Sequence, residues 1–313
     1  MTDVLAKRRV GSLEVSVVGL GCNNFGGRIG ADQTAEVVSA ALDAGITFFD
    51  TADIYGGTRS EELLGHVLGR RRDHVVVATK FGMPVDADHK GAKPAYVRRA
   101  LEDSLRRLGT DHVDLYQLHQ PDPATPIADT LATLDELVRA GKVREIGCSN
   151  FSAAQLREAQ AAVRQGAARF VSVQNEYSLL ERGPELEVLP ECERLELAFI
   201  PYYPLASGVL TGKYHRGEPP PPGARLAGVP TGRVDSRLSD ETLSVVEALE
   251  AFAARNGHSV LELAVAWLIM KPTVTSVIAG ATTPAQVRAN AKASSWVLTA
   301  AQLDEVDGIA PAP

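Results

Sequence analysis

The chain has 313 residues, 45% of them hydrophobic and 23% charged, with a formal net charge of −7. That is the composition of an ordinary globular protein: too apolar for intrinsic disorder, too acidic for a nucleic-acid-binding surface, and long enough to bury a large core. No run of about 18 apolar residues occurs, so no membrane-spanning helix is expected, and the start, MTDVLAKRRV, lacks a hydrophobic signal core.

The three cysteines, Cys22, Cys148 and Cys192, are scattered and odd in number. They fit a reducing cytoplasmic setting better than a disulfide framework. None has the spacing of a zinc ligand, and no metal is expected.

In chain order, short apolar runs alternate with helical patterns. VSVVGLG (15–21) predicts a buried strand, DQTAEVVSAALDAG (32–45) a helix, ITFFD (46–50) a strand and RSEELLGHVLGR (59–70) a helix. The basic run Arg70–Arg71–Arg72 then reads as a solvated helix end. Strands follow at 74–80, 113–119, 143–150, 170–177, 198–204 and 275–280, with helices at 95–109, 127–141, 152–166, 184–197, 240–257 and 259–271. Gly45, Gly109, Gly141 and Gly166 sit where helices should stop. The strands are apolar throughout rather than alternating, as parallel strands covered on both faces should be.

Eight strands alternating with helices over this length predict a single (β/α)8 barrel domain spanning 1–313, with a doubly wound open sheet as the alternative. A Pro/Gly-rich stretch at about 205–238 interrupts the pattern and reads as a flap over the site, and a C-terminal segment occupies about 294–313.

In such barrels the chemistry lies at the C-terminal ends of the strands. Those positions hold Asp50 after the second strand, Lys80 after the third and His119 after the fourth, with Tyr55 on the loop following Asp50. Each alone has a bland reading as a turn cap, loop anchor, solvated lysine or core histidine. Four ionisable groups on one rim point to a catalytic site.

The segments GLGCNNFGG, FFDTADIYGG, VVVATKFG, DLYQLHQPD, REIGCSNF, VQNEYS and PLASGVLTGKY, in this order, resemble the aldo-keto reductase family over nearly the whole chain. The resemblance implies a cytoplasmic barrel oxidoreductase that uses a nicotinamide cofactor, usually NADPH, and no metal. It places the family's tetrad on Asp50, Tyr55, Lys80 and His119. Tyr55 would give a proton to the carbonyl oxygen as hydride reaches the carbon. Lys80 would lower the phenol pKa, Asp50 would hold Lys80 charged, and His119 would steer the carbonyl.

The same resemblance assigns cofactor contacts to Gly21, Cys22, Asn23 and Asp50, and the nicotinamide carboxamide to Ser149, Asn150 and Gln174. It gives the nicotinamide ring to Tyr202, with Tyr203 as competitor, and the pyrophosphate to Pro204, Leu205, Ser207, Gly208, Leu210 and Lys213. The adenosine end falls to Gly280, Thr282, Thr283, Gln286 and Asn290. Asn24 occupies the third glycine position of GLGCNN, so a dinucleotide-binding Rossmann fingerprint is not supported.

The usual basic residue just after the glycine of the last strand is missing, and Arg288 is the nearest cation. NADPH is expected to be preferred by a modest margin, with NADH usable. The alternatives are an NAD-dependent sugar or polyol dehydrogenase, or a cofactor-binding regulatory subunit of the channel-auxiliary kind. The substrate class is a small carbonyl compound. Phe25, Met83 and Trp296 are candidate pocket residues that could equally be core.

Overall fold

The computed structural model describes residues 5–227, 232 and 237–313. Part of the expected flap, at 228–231 and 233–236, lies outside the described residues.

An antiparallel hairpin comes first, β1 (Lys7–Val10) and β2 (Leu13–Ser16), turning at Gly11 with φ +58°. The sequence reading had merged β2 into the first barrel strand. Eight parallel strands follow: β3 (Val18–Gly21), β4 (Phe48–Asp50), β5 (Val76–Phe81), β6 (Val113–Leu118), β7 (Val143–Ser149), β8 (Phe170–Gln174), β9 (Ala198–Phe199) and β10 (Val277–Gly280). They pair in the order β10-β3-β4-β5-β6-β7-β8-β9. Parallel bridges Phe199–Val274 and Tyr202–Ile278 join β9 to the β10 side. This closure makes the sheet a barrel rather than an open doubly wound sheet.

The intervening helices are α1 (Ala31–Asp43), α2 (Arg59–Leu68), α3 (Pro94–Leu108), α4 (Ile127–Arg139), α5 (Ala153–Ala162) and α6 (Val188–Leu195). After β9 come α7 (Asp240–Arg255) and α8 (Val260–Ile269), and after β10 come α9 (Pro284–Lys292) and α10 (Ala300–Ile309). Their local signals are of the usual kind. Ser152 and Gln155 form a capping box at α5, and Gly109 ends α3 with φ +64°.

Strand side chains alternate in direction with a period of two, so each strand feeds two cores. Outward-facing Phe49, Val77, Tyr116, Ile146 and Val173 pack under the helices. Inward-facing Phe48, Val76, Ala78, Leu115, Ile200 and Ile278 pack with Val10, Leu13 and Val15 of the hairpin. The hairpin therefore plugs the N-terminal mouth of the barrel. Continuing each inward row toward the C-terminal end changes its chemistry: Phe48 leads to Asp50, Ala78 to Lys80, Leu115 to Gln117 and Ser172 to Gln174. An apolar barrel floor thus carries a polar top layer by strand parity alone.

The arginine run departs from expectation. Arg70 and Arg71 are exposed, but Arg72 is buried and ion-pairs with the fully buried Asp114 at 2.7 Å. It also donates to the carbonyls of Val75 and His112 at 3.2 and 3.0 Å. A buried carboxylate from the adjoining strand draws in the cation that a one-dimensional reading leaves in water.

Candidate active site

Asp50 ends β4 and Lys80 lies near the end of β5, both pointing into the barrel. Lys80 is 0% exposed. Its Nζ donates to Asp50 Oδ2 at 2.6 Å, to the Thr51 carbonyl at 2.9 Å and to the Tyr55 hydroxyl at 3.4 Å. An ammonium has three N–H bonds, and all three have partners here. Tyr55 is delivered by the turn after β4, where Gly56 and Gly57 have φ of +59° and +64°. A Cβ on Gly56 would come within 2.2 Å of the Phe25 carbonyl, so the loop can close over Asp50 only with glycine there. The ring of His119, from the end of β6, stands edge-on to that of Tyr55 with centroids 5.8 Å apart.

Burial and charge set the protonation states. Burial pushes the Lys80 ammonium down, but Asp50 and Tyr55 together outweigh it, and its pKa lies above the ordinary lysine value. For Tyr55 the balance goes the other way. Desolvation raises the phenol pKa, the opposing pull of Lys80 is smaller, and the net direction is up. The sequence-based expectation of a lowered phenol pKa is thereby corrected: Lys80 acts in the anticipated sense but loses to burial. Burial, with Lys80 second, lowers His119 to about 3, so its imidazole is neutral at physiological pH.

A cleft of about 690 Å³ opens above this group, within the size range of small-molecule and cofactor sites. Asp50, Tyr55 and His119 line it, while Lys80 lies behind them. Gly21, Asn23, Ser149, Asn150, Gln174, Tyr202, Pro204, Leu205, Ser207, Gly208, Lys213, Gly280, Thr282, Gln286 and Asn290 line it as well. Cys22 and Leu210 do not; both are wholly buried beneath the wall. Thr283 is not a wall residue either: its hydroxyl caps α9 by accepting from the Gln286 amide at 3.3 Å. Arg288 is exposed and outside the cleft. Met83 lines it, whereas Phe25 is core and Trp296 stacks on His258 with ring centroids 4.0 Å apart. Tyr202 and Tyr203 both face the cleft. The Tyr202 hydroxyl donates to Asn150 Oδ1 at 2.8 Å, and Tyr203 is held by Arg225.

The walls fit a phosphate-bearing cofactor that also has N–H or O–H donors of its own, since they offer it both cations and unpaired acceptors. Asn23 Oδ1 and Asn24 Oδ1 are buried without partners, beside a glycine pair at Gly21 and Gly280. A Cβ on Gly280 would sit 3.3 Å from Asn24 Nδ2 and 3.5 Å from Asn23 Oδ1, so the glycine keeps that cradle open. Among the described residues Arg28, Lys213 and Arg225 line the cleft as cations. Burial, then Arg28, lowers the Lys213 pKa, as expected for a cation beside another. The amides of Ala206, Gly208 and Leu210 are tied inside their own turn, to the carbonyls of Tyr203 and Leu205, so positive side chains rather than those amides carry the charge.

The sequence reading missed Arg28 and Arg225, which lie in loops with no periodic signal. It also missed a polar cluster behind Tyr55. There Asp53, 2% exposed, accepts from the Tyr96 hydroxyl at 3.4 Å. Glu61 beside it pairs with Arg107 at 2.7 Å and accepts from Thr79. Burial, then Glu61, raises Asp53 to about 7.

The aldo/keto reductase family profile matches residues 17–311. The chain belongs to the aldo/keto reductase family. Curated relatives agree. The "Uncharacterized oxidoreductase YrpG" of Bacillus subtilis is 35% identical, covering 96% of this chain and 94% of its own. "Aldo-keto reductase YhdN" of the same organism is 36% identical, covering 95% and 90%. A "Probable voltage-gated potassium channel subunit beta" of Oryza sativa is 35% identical, covering 91% and 89%. This aldo/keto reductase is an NAD(P)H-dependent oxidoreductase of carbonyl compounds. None of its helices, among the described residues, is long and apolar enough to cross a membrane.

Proposed function

We propose that the protein reduces a small aldehyde or ketone, with Tyr55 as proton donor and NADPH as the preferred cofactor, NADH being usable. The observation that carries this reading is the buried chain Asp50–Lys80–Tyr55 ending in a phenol on the cleft wall beside His119. The nicotinamide cofactor, when bound, supplies the hydride. Asn23, Ser149, Asn150, Gln174, Tyr202, Lys213, Gly280, Thr282, Gln286 and Asn290 would hold it, together with Arg28 and Arg225.

A raised phenol pKa keeps the proton on Tyr55 until negative charge grows on the carbonyl oxygen. The ammonium of Lys80 then stabilises the phenolate left behind, and Asp50 keeps that ammonium in place. Neutral His119 can give its N–H to the same oxygen without competing for the proton. The preference for NADPH rests on Arg28, Lys213 and Arg225, whose positive charge favours the additional phosphate.

The test is a panel of aldehydes and ketones with each cofactor, followed by loss of reduced-nicotinamide absorbance. Turnover with no aldehyde or ketone refutes the reading, and a clear preference for NADH refutes the cofactor assignment. A second reading, a regulatory subunit that binds cofactor, is favoured by relatives named as channel beta subunits. It predicts tight NADPH binding without steady consumption across the panel.

A further inference from the structure

Lys80 is not alone among polar residues of the barrel interior in lying behind the cleft wall and away from solvent. Gln117, from the middle of the top layer on β6, is fully buried and absent from the cleft wall. Its Nε2 donates to Asp50 Oδ1 at 3.3 Å. Gln174 Nε2 donates to the same oxygen at 3.0 Å. Asp50 therefore has one oxygen for two amides and the other for Lys80. Bulky branched apolar residues usually fill the inward positions of such barrels. An amide there breaks a local packing rule, and such breaks cluster where function demands them.

The far side of this amide faces a gap between strands. Gln117 registers with Gly147 on β7, and Gly147 with Ser172 on β8. A Cβ on Gly147 would lie 2.6 Å from Ser172 Oγ and 3.3 Å from Gln117 Cγ. Glycine at 147 therefore leaves the Ser172 and Gln117 side chains facing one gap. Gln117 Oε1 and Ser172 Oγ are both buried and without partners. One is an acceptor and the other can donate, so they are complementary. The reverse orientation of the amide would set Oε1 against Asp50 Oδ1, two acceptors face to face.

We propose that Gln117 is a positioning residue for the reaction: its amide, donating to Asp50 Oδ1 beside that of Gln174, fixes the Asp50 carboxylate so that Oδ2 holds Lys80 against Tyr55. This rests on the assignment of Tyr55 as proton donor made above. The residue does not meet cofactor or substrate, so its loss should affect the chemical step and not binding.

The test uses the full chain, NADPH and the best aldehyde of the panel, with Gln117→Met, which keeps an unbranched side chain and removes the amide. Turnover should fall roughly tenfold while the aldehyde KM and the NADPH Kd stay within about twofold, the pattern of an interaction felt only in the transition state. In an Asp50→Asn background, where no carboxylate needs orienting, the same substitution should cost less than about twofold, because coupled residues are not additive. A merely structural role would multiply the two losses instead. Retained turnover in Gln117→Met, a loss expressed in KM, or full multiplication with Asp50→Asn would each overturn the proposal. If Gln117→Met does not fold, Gln117→Leu decides: a fall in turnover with the aldehyde KM and NADPH Kd unchanged supports the proposal, and unchanged turnover overturns it. Failure of the underlying reading is separately visible, because Tyr55→Phe would then retain activity.

Discussion

Asp53→Asn probes the polar cluster that supports the Tyr55 loop. An ordinary aspartate titrates near about 3.9, whereas Asp53 titrates at about 7, because burial and the neighbouring Glu61 disfavour its charge. Arg107 and the Tyr96 hydroxyl oppose that effect without overcoming it. Lys80 packs on the same turn through its carbonyl, which accepts from the Asp53 amide at 3.1 Å, and the Tyr116 phenol is pushed up by burial first and by Asp53 next.

The folded pKa lies above the unfolded one. Below the unfolded pKa both states carry the proton, and between the two values only the folded state does. Stability therefore declines as pH rises from about 4 to 7, and the cost of the buried charge is complete above that window. The separation of the two pKa values corresponds to roughly 4 kcal/mol at most, at about 1.4 kcal/mol per pH unit. Asparagine keeps the shape, accepts from Tyr96 and cannot ionise. Urea titrations of the two proteins should therefore give nearly equal stability near pH 4, with the variant ahead by roughly 4 kcal/mol at most at pH 8. A stability difference that does not change between those pH values would show that Asp53 does not titrate in this window. A variant weaker at pH 8 would show that Asp53 is held as a favourable anion.

Tyr55→Phe should lower turnover by about 10²–10⁴ with NADPH binding by fluorescence nearly unchanged, the range for loss of a general acid. Reductive turnover of the wild type should weaken only when pH rises above the ordinary phenol range, since the Tyr55 pKa is raised. Lys80→Met should abolish most turnover and cost about 3 kcal/mol in denaturant unfolding, because Asp50 is left buried without its cation. Gly65→Ala should destabilise by about 1–3 kcal/mol through overpacking, since a Cβ would lie 2.2 Å from the Leu108 carbonyl where α2 meets α3. Arg288→Ala should leave the ratio of kcat/KM for NADPH and NADH within about twofold, as that side chain is exposed and outside the cleft.

Much of the architecture was legible in one dimension. Apolar runs separated by amphipathic segments announce parallel strands under helices, because backbone hydrogen bonding and burial impose those periods locally. The strand-end rule then picked out Asp50, Lys80 and His119, and the Gly-Gly turn after Tyr55 marked a loop of unusual backbone. What escaped depends on partners distant in sequence. The hairpin plug exists because Val10, Leu13 and Val15 meet Phe48 and Leu115 inside the barrel. Arg72 is buried because Asp114 waits on another strand. Gln117 and Ser172 acquire a shared gap only through strand register at Gly147. The direction of the Tyr55 pKa is a contest between burial and a cation at 3.4 Å, and no residue list contains the desolvation that wins it. Residue types and their periods are local properties of a chain, whereas burial, register and electrostatic balance are sums over neighbours that only folding brings together.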